Sequence, residues 1–556
     1  MDNTMTIARA PSSDEVRVKH FRQILLWPVY LMPKVDGPSM HDRWPDVVDT
    51  GPDSSWRVVD DEFTGDPRDF QERHYNEFVS FLPPVQRFLY GQRQRQREGA
   101  AAQSGFVESS IRVLRRQDVS CAAVTLSGES DAIRFSVAHI DLYFFFDVDV
   151  ALLAVEMHAD DLPLKTAQDA MFQLGRAYPA YWEEDGRPGH CPKRVEWLSA
   201  DGAVLAASDY ENREKFLTFV CKHRAPRVAA HWEFLLQPLV LHQCGQDGAL
   251  RYRQLEYYRM PLMAYLAVDK PDRLTSADYV RLALVGGSGD PEQMPIGEGY
   301  FDHFKATHCY DLYRTRTDGR AWPSTTFWSC GHSFILTGDA GSDFFRDVER
   351  GYLARFRHQH FIMFMIAHFH RATLQMFSDE LAGAMSRLDV RDAAAVASFR
   401  RETRVELEAF LRFTHRYWFQ EISDQAQIHD LFAMIRRHLG IDRAYEAIRR
   451  ETQDMSDYLE NEAMRRQNES VVRLTVVTAF GLVGSVATGF LGMNLFDYTH
   501  VGGWTKLFLF VVVFVPIALL TSYTIKKSRR LSDFLDAIAD ESLDLAGKWR
   551  AFRRIW

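Results

Sequence analysis

Cysteine is scarce in this chain, with six residues among 556. So few thiols do not form a disulfide framework, and a cytoplasmic location would keep them reduced. Five of the six have a histidine within two residues, as in His190-Cys191 and His308-Cys309. Zinc prefers such ligands, but the paired Cys-x-x-Cys or His-x-x-x-His spacings of structural zinc sites are missing. Scattered core cysteines are the first interpretation, and a bound soft metal is the alternative.

Catalytic motifs are missing as well. The sequence contains neither a Gly-x-Ser-x-Gly elbow nor the protein-kinase set. Residues 286–291 (GGSGDP) have the composition of a phosphate loop without its Gly-Lys-Ser/Thr ending. His358, His360, His368 and His370 do not have the His-Glu-x-x-His spacing of a catalytic zinc helix. We therefore predict that the chain is not an enzyme, that the glycine-rich segment is a turn, and that these histidines have packing or surface roles.

An excess of basic residues is also absent. The 66 Lys and Arg against 75 Asp and Glu give a net charge of −9, which argues against nucleic acid as a partner. Long apolar runs occur only near the C-terminus, at residues 474–491 and 507–525. At about 18 and 19 residues, each is long enough to cross a lipid bilayer as a helix. The apolar run at 24–32 is too short for that and contains Pro28, so it predicts a strand.

Basic residues are distributed unevenly around these two predicted spans. Only Lys506 lies between them, and the others flank the pair: Arg465, Arg466 and Arg473 before the first, and Lys526, Lys527, Arg529 and Arg530 after the second. The positive-inside rule then places both termini in the cytoplasm. The predicted protein is an integral membrane protein that ends in a helical hairpin.

Residues 1–341 have the mixed pattern of a cytoplasmic α/β domain with room for an added subdomain. A hairpin-like run covers residues 133–157, and Asp201-Gly202 and Asp247-Gly248 are typical of hairpin turns. Helical patterns at 166–178 and 276–284 alternate with these strands. The low-complexity residues 92–97 (QRQRQR) predict a surface loop.

From Ser342 onward the pattern is helical. Ser342 predicts the N-cap of a helix through Leu353 and beyond, further helices follow at 391–413 and 422–439, and Gly440 ends the last of them. A periodic stretch without Gly or Pro then runs from Asp442 into the first apolar segment. The predicted order is a helical region 342–440, a helical stalk 441–473, a first transmembrane helix 474–491, an external loop 492–506, a second transmembrane helix 507–525 and a basic amphipathic cytoplasmic tail 526–556.

One face of the long stalk helix carries small polar groups between apolar side chains. Steps of three and four residues pass through Asp457, Asn461, Met464, Asn468, Val471, Thr475, Thr478, Leu482 and Ser485. In several copies around an axis, the hydroxyls and amides would form rings of oxygen that suit a hydrated cation, while Val471, Leu474 and Leu482 could close the path by dewetting. Serine and threonine can instead bond their own backbone carbonyls. The pattern favours a pore lined by the first span.

Gly492-Met493-Asn494 stands at the outer end of the first apolar segment. In this position, after a long charged helix and before a second span, the tripeptide resembles that of the CorA magnesium transporter family. The resemblance implies an αβα cytoplasmic domain, a homopentamer in a bacterial-type inner membrane, and an ion filter formed by the tripeptide. By position relative to the tripeptide, four residues coincide with functional positions of the family: Asn468, Leu474 and Ser485 in the pore, and Asp457 in a regulatory metal site.

The segment around the tripeptide departs from the magnesium-transporting members. Leu491 replaces the aromatic residue that usually precedes Gly-Met-Asn, and residues 495–504 (LFDYTHVGGW) lack the Met-Pro-Glu-Leu loop. A Gly-Gly-containing loop is more similar to the zinc-transporting branch, and His500 is a softer ligand than Asp497. Mg²⁺ is the expected transported and regulatory ion, with Zn²⁺, Co²⁺ or Ni²⁺ as alternatives. A different class of function is a membrane-anchored ligand-sensing effector whose hairpin is not a pore.

Overall fold

The computed structural model describes residues 16–32, 48, 51, 54–59, 72–93, 106–107, 110–244, 248, 250–255, 258–311, 325–389, 392–492 and 502–526. The chain divides into two compact units, Met1–Thr452 and Gln453–Trp556. The first contains the strands and most of the helices, and the second contains the C-terminal part of one long helix and the final helix.

The strands of the first unit are mostly paired antiparallel. They are β1 (Arg17–Met32), β2 (Trp56–Val58), β3 (Gln92–Arg93), β4 (Phe106–Val107), β5 (Ile111–Arg116), β6 (Cys121–Thr125), β7 (Ala132–Phe145), β8 (Val150–Pro163), β9 (Arg194–Leu198), β10 (Val204–Ala207), β11 (Val240–Leu241), β12 (Arg251–Gln254), β13 (Leu262–Val268), β14 (Cys309–Tyr310), β15 (Thr326–Ser329) and β16 (Ser333–Asp339). Along its main path the large sheet has the order β10-β9-β6-β7-β8-β1-β13-β16-β15-β14, and β3 pairs with β4 separately.

The helices are α1 (Glu72–Val79), α2 (Pro83–Tyr90), α3 (Leu164–Gln173), α4 (Arg213–His223), α5 (Ala230–Leu236), α6 (Ser276–Leu284), α7 (Phe301–His308), α8 (Asp343–Arg346), α9 (Tyr352–Arg355), α10 (Phe361–Ser386), α11 (Ala393–Arg416), α12 (Ala426–Leu439), α13 (Ile441–Gly492) and α14 (Gly503–Lys526). A π-helical turn, Phe356–His360, leads into α10.

Three long strands form the centre of the sheet. β1 has 16 residues, and β7 and β8 have 14 each. β1 and β7 are rich in the β-branched and aromatic residues that pack well in a sheet, and the first eight residues of β8 are all buried. β7 and β8 pair antiparallel, with Phe144 opposite Ala151, which confirms the hairpin predicted for residues 133–157. The strand predicted at 24–32 is also confirmed as part of β1.

Both faces of β1 are covered by helices. Phe21, Leu25 and Trp27 point to one face, where they join the main apolar core. Tyr30 points to the opposite face and hydrogen bonds to Glu380 of α10. α3 and α10 both pack on β1 and β8. This layered arrangement confirms the predicted large α/β domain; its predicted boundary after residue 341 stays a prediction.

The two predicted hairpin turns have different outcomes. Asp201-Gly202 connects β9 to β10, which pair antiparallel, and Gly202 has a φ of 85°, which glycine adopts without a Cβ clash. The hairpin predicted at Asp247-Gly248 is wrong, because β11 and β12 on either side of it pair in parallel. The antiparallel neighbour of β12 is β1, with Tyr30 opposite Arg253. Asp247 itself lies outside the described residues.

The predicted helix from Ser342 through Leu353 is interrupted. Ser342 caps α8 by accepting from the Phe345 N–H, but α8 ends at Arg346. Gly351 lies so close to the chain that a Cβ there would be 2.0 Å from the Phe344 carbonyl oxygen, and α9 starts only after it. A continuous helix would not bring these two backbone segments together.

The other predicted helices of the first unit are present. The pattern at 276–284 is α6, and its N-terminus has a capping box between Thr275 and Asp278. The pattern at 166–178 is α3, which starts two residues earlier and ends before Gly175, whose φ is 80°. The patterns at 391–413 and 422–439 are α11 and α12, and Gly440, with a φ of 64°, ends α12 as predicted.

The second unit contains the predicted hairpin segments. α13 is continuous over 52 residues, which confirms the predicted long helix, and α14 has 24 residues with Pro516 inside. Within the described part of the chain, no helix combines the length and the apolar character that crossing a membrane requires, and the two predicted spans stay predictions. The predicted tail beyond Lys526 lies outside the described residues.

Candidate functional site

The candidate ion pathway is one face of α13. This helix starts directly after Gly440 and ends at Gly492, so it is about 78 Å long at 1.5 Å per residue. Apart from Leu474, which is adjacent to Thr475, the predicted pore positions advance along it by three or four residues. Residues with that spacing follow one another on a single helix face. The predicted regulatory residue, Asp457, and the first residue of the tripeptide, Gly492, therefore belong to one helix and lie about 50 Å apart along it.

The large apolar residues of this face are exposed. Val471, Leu474 and Leu482 have exposed fractions of 54%, 67% and 66%. A stripe of exposed apolar side chains is typical of a surface that a membrane or another chain covers. The face is thus suited to contact with something other than the described residues of its own chain.

Thr478 shows what a polar position on this face can offer. Its Oγ1 donates to the Leu474 carbonyl oxygen at 2.8 Å, a backbone bond that threonine often makes within a helix. Because the hydroxyl proton is used in that bond, only the oxygen lone pairs can face outward. Thr478 is exposed and so presents an acceptor, which suits a cation and not an anion.

The described members of the predicted pore set lie along α13. Asp457, Thr478 and Ser485 are exposed, as are the three apolar residues, and Asn468 and Thr475 belong to the same helix. Gly492 is its last residue. Met493, Asn494, Asp497 and His500 lie outside the described residues, so their roles stay predictions.

Residues 365–527 match the family model described as CorA-like Mg²⁺ transporter protein. This part of the chain is CorA-like. The resemblance predicted from the tripeptide is thereby confirmed over α11 to α14 and most of α10. Since the family consists of transporters, the prediction that the chain is not an enzyme is confirmed as well. The family is membrane-associated and generally forms homo-oligomers, and the match indicates divalent-cation transport.

Curated proteins and solved structures add little to this family match. Among curated proteins, no sequence matches this chain. A solved structure, that of the full-length CmaX protein, is similar to 55% of this chain and to 95% of its own length, with 14% sequence identity and a TM-score of 0.19. A TM-score of that size does not establish a shared fold.

The start of α13, which lies in the CorA-like region, is held on α12 by stacked aromatic rings and one arginine. We call these contacts the joint between α12 and α13. Arg436 of α12 donates to the Phe419 carbonyl oxygen and to Asp442, and its guanidinium lies 4.9 Å from the centre of the Trp418 ring. Trp418 in turn stacks on Tyr445 of α13 at 4.1 Å. These contacts fix the first turns of α13 on α12.

Sequence reasoning missed this joint. The aromatic run Tyr417-Trp418-Phe419 between two helical patterns could have indicated it. Three consecutive large aromatic side chains in a short connection predict that the connection is buried. His438, two residues after Arg436, extends the joint to the rest of the first unit. Its Nε2 donates to the Thr307 carbonyl oxygen at 2.9 Å.

Three of the four histidines singled out from the sequence are buried in packing roles, and the fourth, His358, lies with its Nδ1 2.9 Å from the Glu77 Oε2. Burial lowers the pKa of His360, His368 and His370 to about 3 each, so all three are uncharged at neutral pH. His368 and His370 donate from Nε2 to the carbonyl oxygens of Gly331 and Tyr417, at 3.2 and 2.6 Å.

Two of the five cysteine–histidine pairs meet: His308/Cys309 and Cys330/His332. The Cys330 Sγ is 3.6 Å from the Nδ1 of His308, and the His308 ring stacks on that of His438 at 4.1 Å. No group of three or more His, Cys, Asp or Glu side chains among the described residues is placed to hold a metal ion. A soft metal at these positions therefore has no described ligand set.

Proposed function

We propose that this protein transports a divalent cation, with Mg²⁺ as the expected ion, through a pore lined by α13. The observation that carries the proposal is the face of α13: one continuous helix ends at the tripeptide and presents Thr478 as an outward acceptor between the exposed Leu474 and Leu482. The protein would form no chemical bond, and its work would be selection and gating of an ion.

In the proposed assembly, residues 474–491 and 507–525 cross the inner membrane, and five copies of α13 surround the pore. The apolar composition of the two segments, the uneven distribution of Lys and Arg around them and the family match support this step. Asn468, Thr475, Thr478 and Ser485 would guide the hydrated ion, and the rings of Val471, Leu474 and Leu482 would close the path by dewetting.

The outer mouth is proposed to be the filter. Mg²⁺ gives up its water reluctantly, so the Asn494 amide and the backbone around Gly492 and Met493 would bind the hydrated ion through its water shell. Asp497 would raise the local cation concentration. His500 favours a softer ion, which keeps Zn²⁺, Co²⁺ and Ni²⁺ as alternative cargo.

Ion flux into liposomes tests this function. We expect the reconstituted full-length chain to take up at least one of Mg²⁺, Zn²⁺, Co²⁺ and Ni²⁺ with saturation, and Asn494→Ala to abolish that uptake at an equal level of assembled protein. Thr505→Ala, in the same hairpin but outside the tripeptide, is the matched control and should keep it. Flux no faster than that of empty liposomes for all four ions would contradict transport and favour the membrane-anchored effector.

A further inference from the structure

Two arginines from distant segments are held against each other in the first unit. An isolated antiparallel bridge pairs Arg176 with Arg259. The exposed fraction of Arg176 is 2%, and Arg259 is half-buried. Each guanidinium reaches a helix end: the Arg176 Nε donates to the Phe172 carbonyl oxygen at 2.9 Å, and Arg259 donates to that of Val285.

Neither guanidinium forms an ion pair with a described carboxylate. Asp169, near Arg176 in the chain, accepts from the N–H and Oγ of Ser288, both at 2.8 Å, and Glu183 is exposed. Glu256 and Tyr257 lie outside the described residues. Two other buried arginines of this unit do have a carboxylate partner: Arg116 pairs with Asp118 at 2.7 Å, and Arg436 pairs with Asp442.

Two adjacent cations that are largely shielded from water cost free energy when no anion neutralises them. Burial, and then the charge of Arg176, lowers the pKa of Arg259 to about 10. The Nε of Arg259 is buried and has no hydrogen bond to a described residue. The guanidinium of Arg176 contacts the rings of Phe172 and Tyr258, at 5.0 and 4.8 Å from their centres, and its terminal nitrogens have no described acceptor. Positive charge and donors are thus concentrated at one point.

Imidazole, phenol and glycine groups surround the pair. The Tyr258 hydroxyl is 2.6 Å from the Nδ1 of His190, a residue held at a φ of 64°, and His332 Nε2 is 3.0 Å from Arg259. The glycine-rich segment 286–289 packs beside them, since a Cβ on Gly287 would be 3.3 Å from the Phe172 ring. The same segment contacts a third guanidinium, that of Arg281, at Gly289.

We propose that Arg176, Arg259, His190 and Tyr258, beside segment 286–289, form a binding site for a small phosphate-bearing anion. Guanidinium groups bind phosphate through parallel N–H···O bonds, and a glycine-rich segment lets backbone N–H groups come close to the oxygens. The site lies outside the CorA-like match, so it gives the enlarged α/β domain a ligand of its own. It does not depend on the transport proposal.

Calorimetric titration of the full-length chain in detergent tests the site, with sodium phosphate and AMP as probes at constant ionic strength. We expect saturable binding of at least one probe, and each of Arg176→Met and Arg259→Met to weaken it by about tenfold or more. Arg187→Met is the matched control, because Arg187 is exposed and paired with Asp185, and it should bind as the wild type does. Tighter binding of AMP than of phosphate assigns the site to a nucleotide-type ligand, and the reverse assigns it to free phosphate.

Arg259→Lys keeps the positive charge but removes the planar guanidinium group, so this variant should lose part of the affinity. It replaces Arg259→Met as the test if thermal unfolding shows that Arg259→Met is misfolded. The proposal is overturned by the absence of saturable binding up to about 10 mM of either probe, or by full affinity in folded Arg176→Met and Arg259→Lys. The proposal is also overturned if phosphate binds to the Glu256→Gln variant and not to the wild type. The Glu256 carboxylate would then be the group that neutralises the two arginines in the native protein.

Discussion

The hydroxyl of Tyr30 donates to the Oε1 of Glu380 at 2.5 Å. Tyr30 belongs to β1 and Glu380 to α10, and the Glu380 carboxyl group also hydrogen bonds to Glu406 of α11. Burial is the largest cause that raises the pKa of Glu380, to about 10. The hydrogen bond to Glu406 and the charge of Glu406 act in the same direction. The sheet and two helices are therefore joined at a carboxyl group that keeps its proton at neutral pH.

The Glu380 carboxyl group should make the free energy of unfolding decrease as pH rises. Between the ordinary value of 4.5 and the folded value of about 10, the folded state holds one more proton than the unfolded state. The free energy of unfolding then decreases by up to about 1.4 kcal/mol per pH unit. Glu380→Gln keeps a donor and an acceptor without titrating, so its midpoint of thermal unfolding in detergent should depend less on pH than that of the wild type.

Three other ionisable groups face this pair and are the same in both proteins: Asp149 before β8, Glu402 of α11 and Arg387 after α10. They cancel in the comparison of wild type with Glu380→Gln. Asp379→Asn is the control, because Asp379 pairs with Arg253 and is partly exposed. Identical pH dependence of the midpoint in wild type and Glu380→Gln would show that Glu380 does not hold a proton.

The joint between α12 and α13 should be a point of high stability. Arg436→Met leaves the Phe419 carbonyl oxygen buried without its donor and removes the cation from Trp418, which should cost about 2 kcal/mol. Asp442 is exposed, so its ion pair adds little. Thermal unfolding of the full-length chain measures the loss. Arg437→Met, on the neighbouring exposed residue, should change the midpoint little, and equal effects of the two substitutions would contradict a specific joint.

Elements with a local signal were predictable from the sequence. The β7–β8 hairpin follows from two adjacent apolar runs, at residues 140–146 and 148–155. The end of α12 follows from Gly440, whose φ of 64° favours glycine. The face of α13 is also local, because a spacing of three and four residues is visible in the order of the residues. Apart from Leu474, the candidate pore positions could therefore be assigned to one helix face from that spacing alone.

Contacts between distant segments were not predictable. The helix after Ser342 is interrupted because Gly351 approaches the Phe344 carbonyl oxygen. The Asp247-Gly248 hairpin is not formed because β12 pairs antiparallel with β1. Arg176 and Arg259 meet only across an isolated bridge. No residue pattern within either segment indicates that two guanidinium groups will be adjacent.

Thr478 allows a test of the pore face at a single oxygen. Thr478→Val keeps the shape of the side chain and removes the acceptor, so in an assembly with several copies we expect cation uptake to slow by about tenfold. Thr478→Ser keeps the oxygen and should retain uptake. Liposome flux at equal amounts of assembled protein measures both. Equal flux in the valine and serine variants would mean that this hydroxyl serves only the bond to Leu474.

Asp457 is the position at which we expect regulation. It is exposed on α13, about five helical turns before residue 474, and several copies of its carboxylate around one axis would repel one another unless a cation lay between them. If a cytoplasmic divalent ion bridges the copies, its loss should loosen the stalk and open the pore. Asp457→Ala should then keep transporting at internal Mg²⁺ concentrations that inhibit the wild type.

Flux measured against internal Mg²⁺ in both proteins tests this regulation. Glu451→Ala is the matched control, since Glu451 is also an exposed carboxylate of α13 but lies about 120° around the helix, and its inhibition curve should follow that of the wild type. If Asp457 is an ordinary exposed carboxylate, the inhibition curves of the wild type, Asp457→Ala and Glu451→Ala should coincide. Such coincidence would remove Asp457 from gating and move any regulation to the α/β domain outside the CorA-like match.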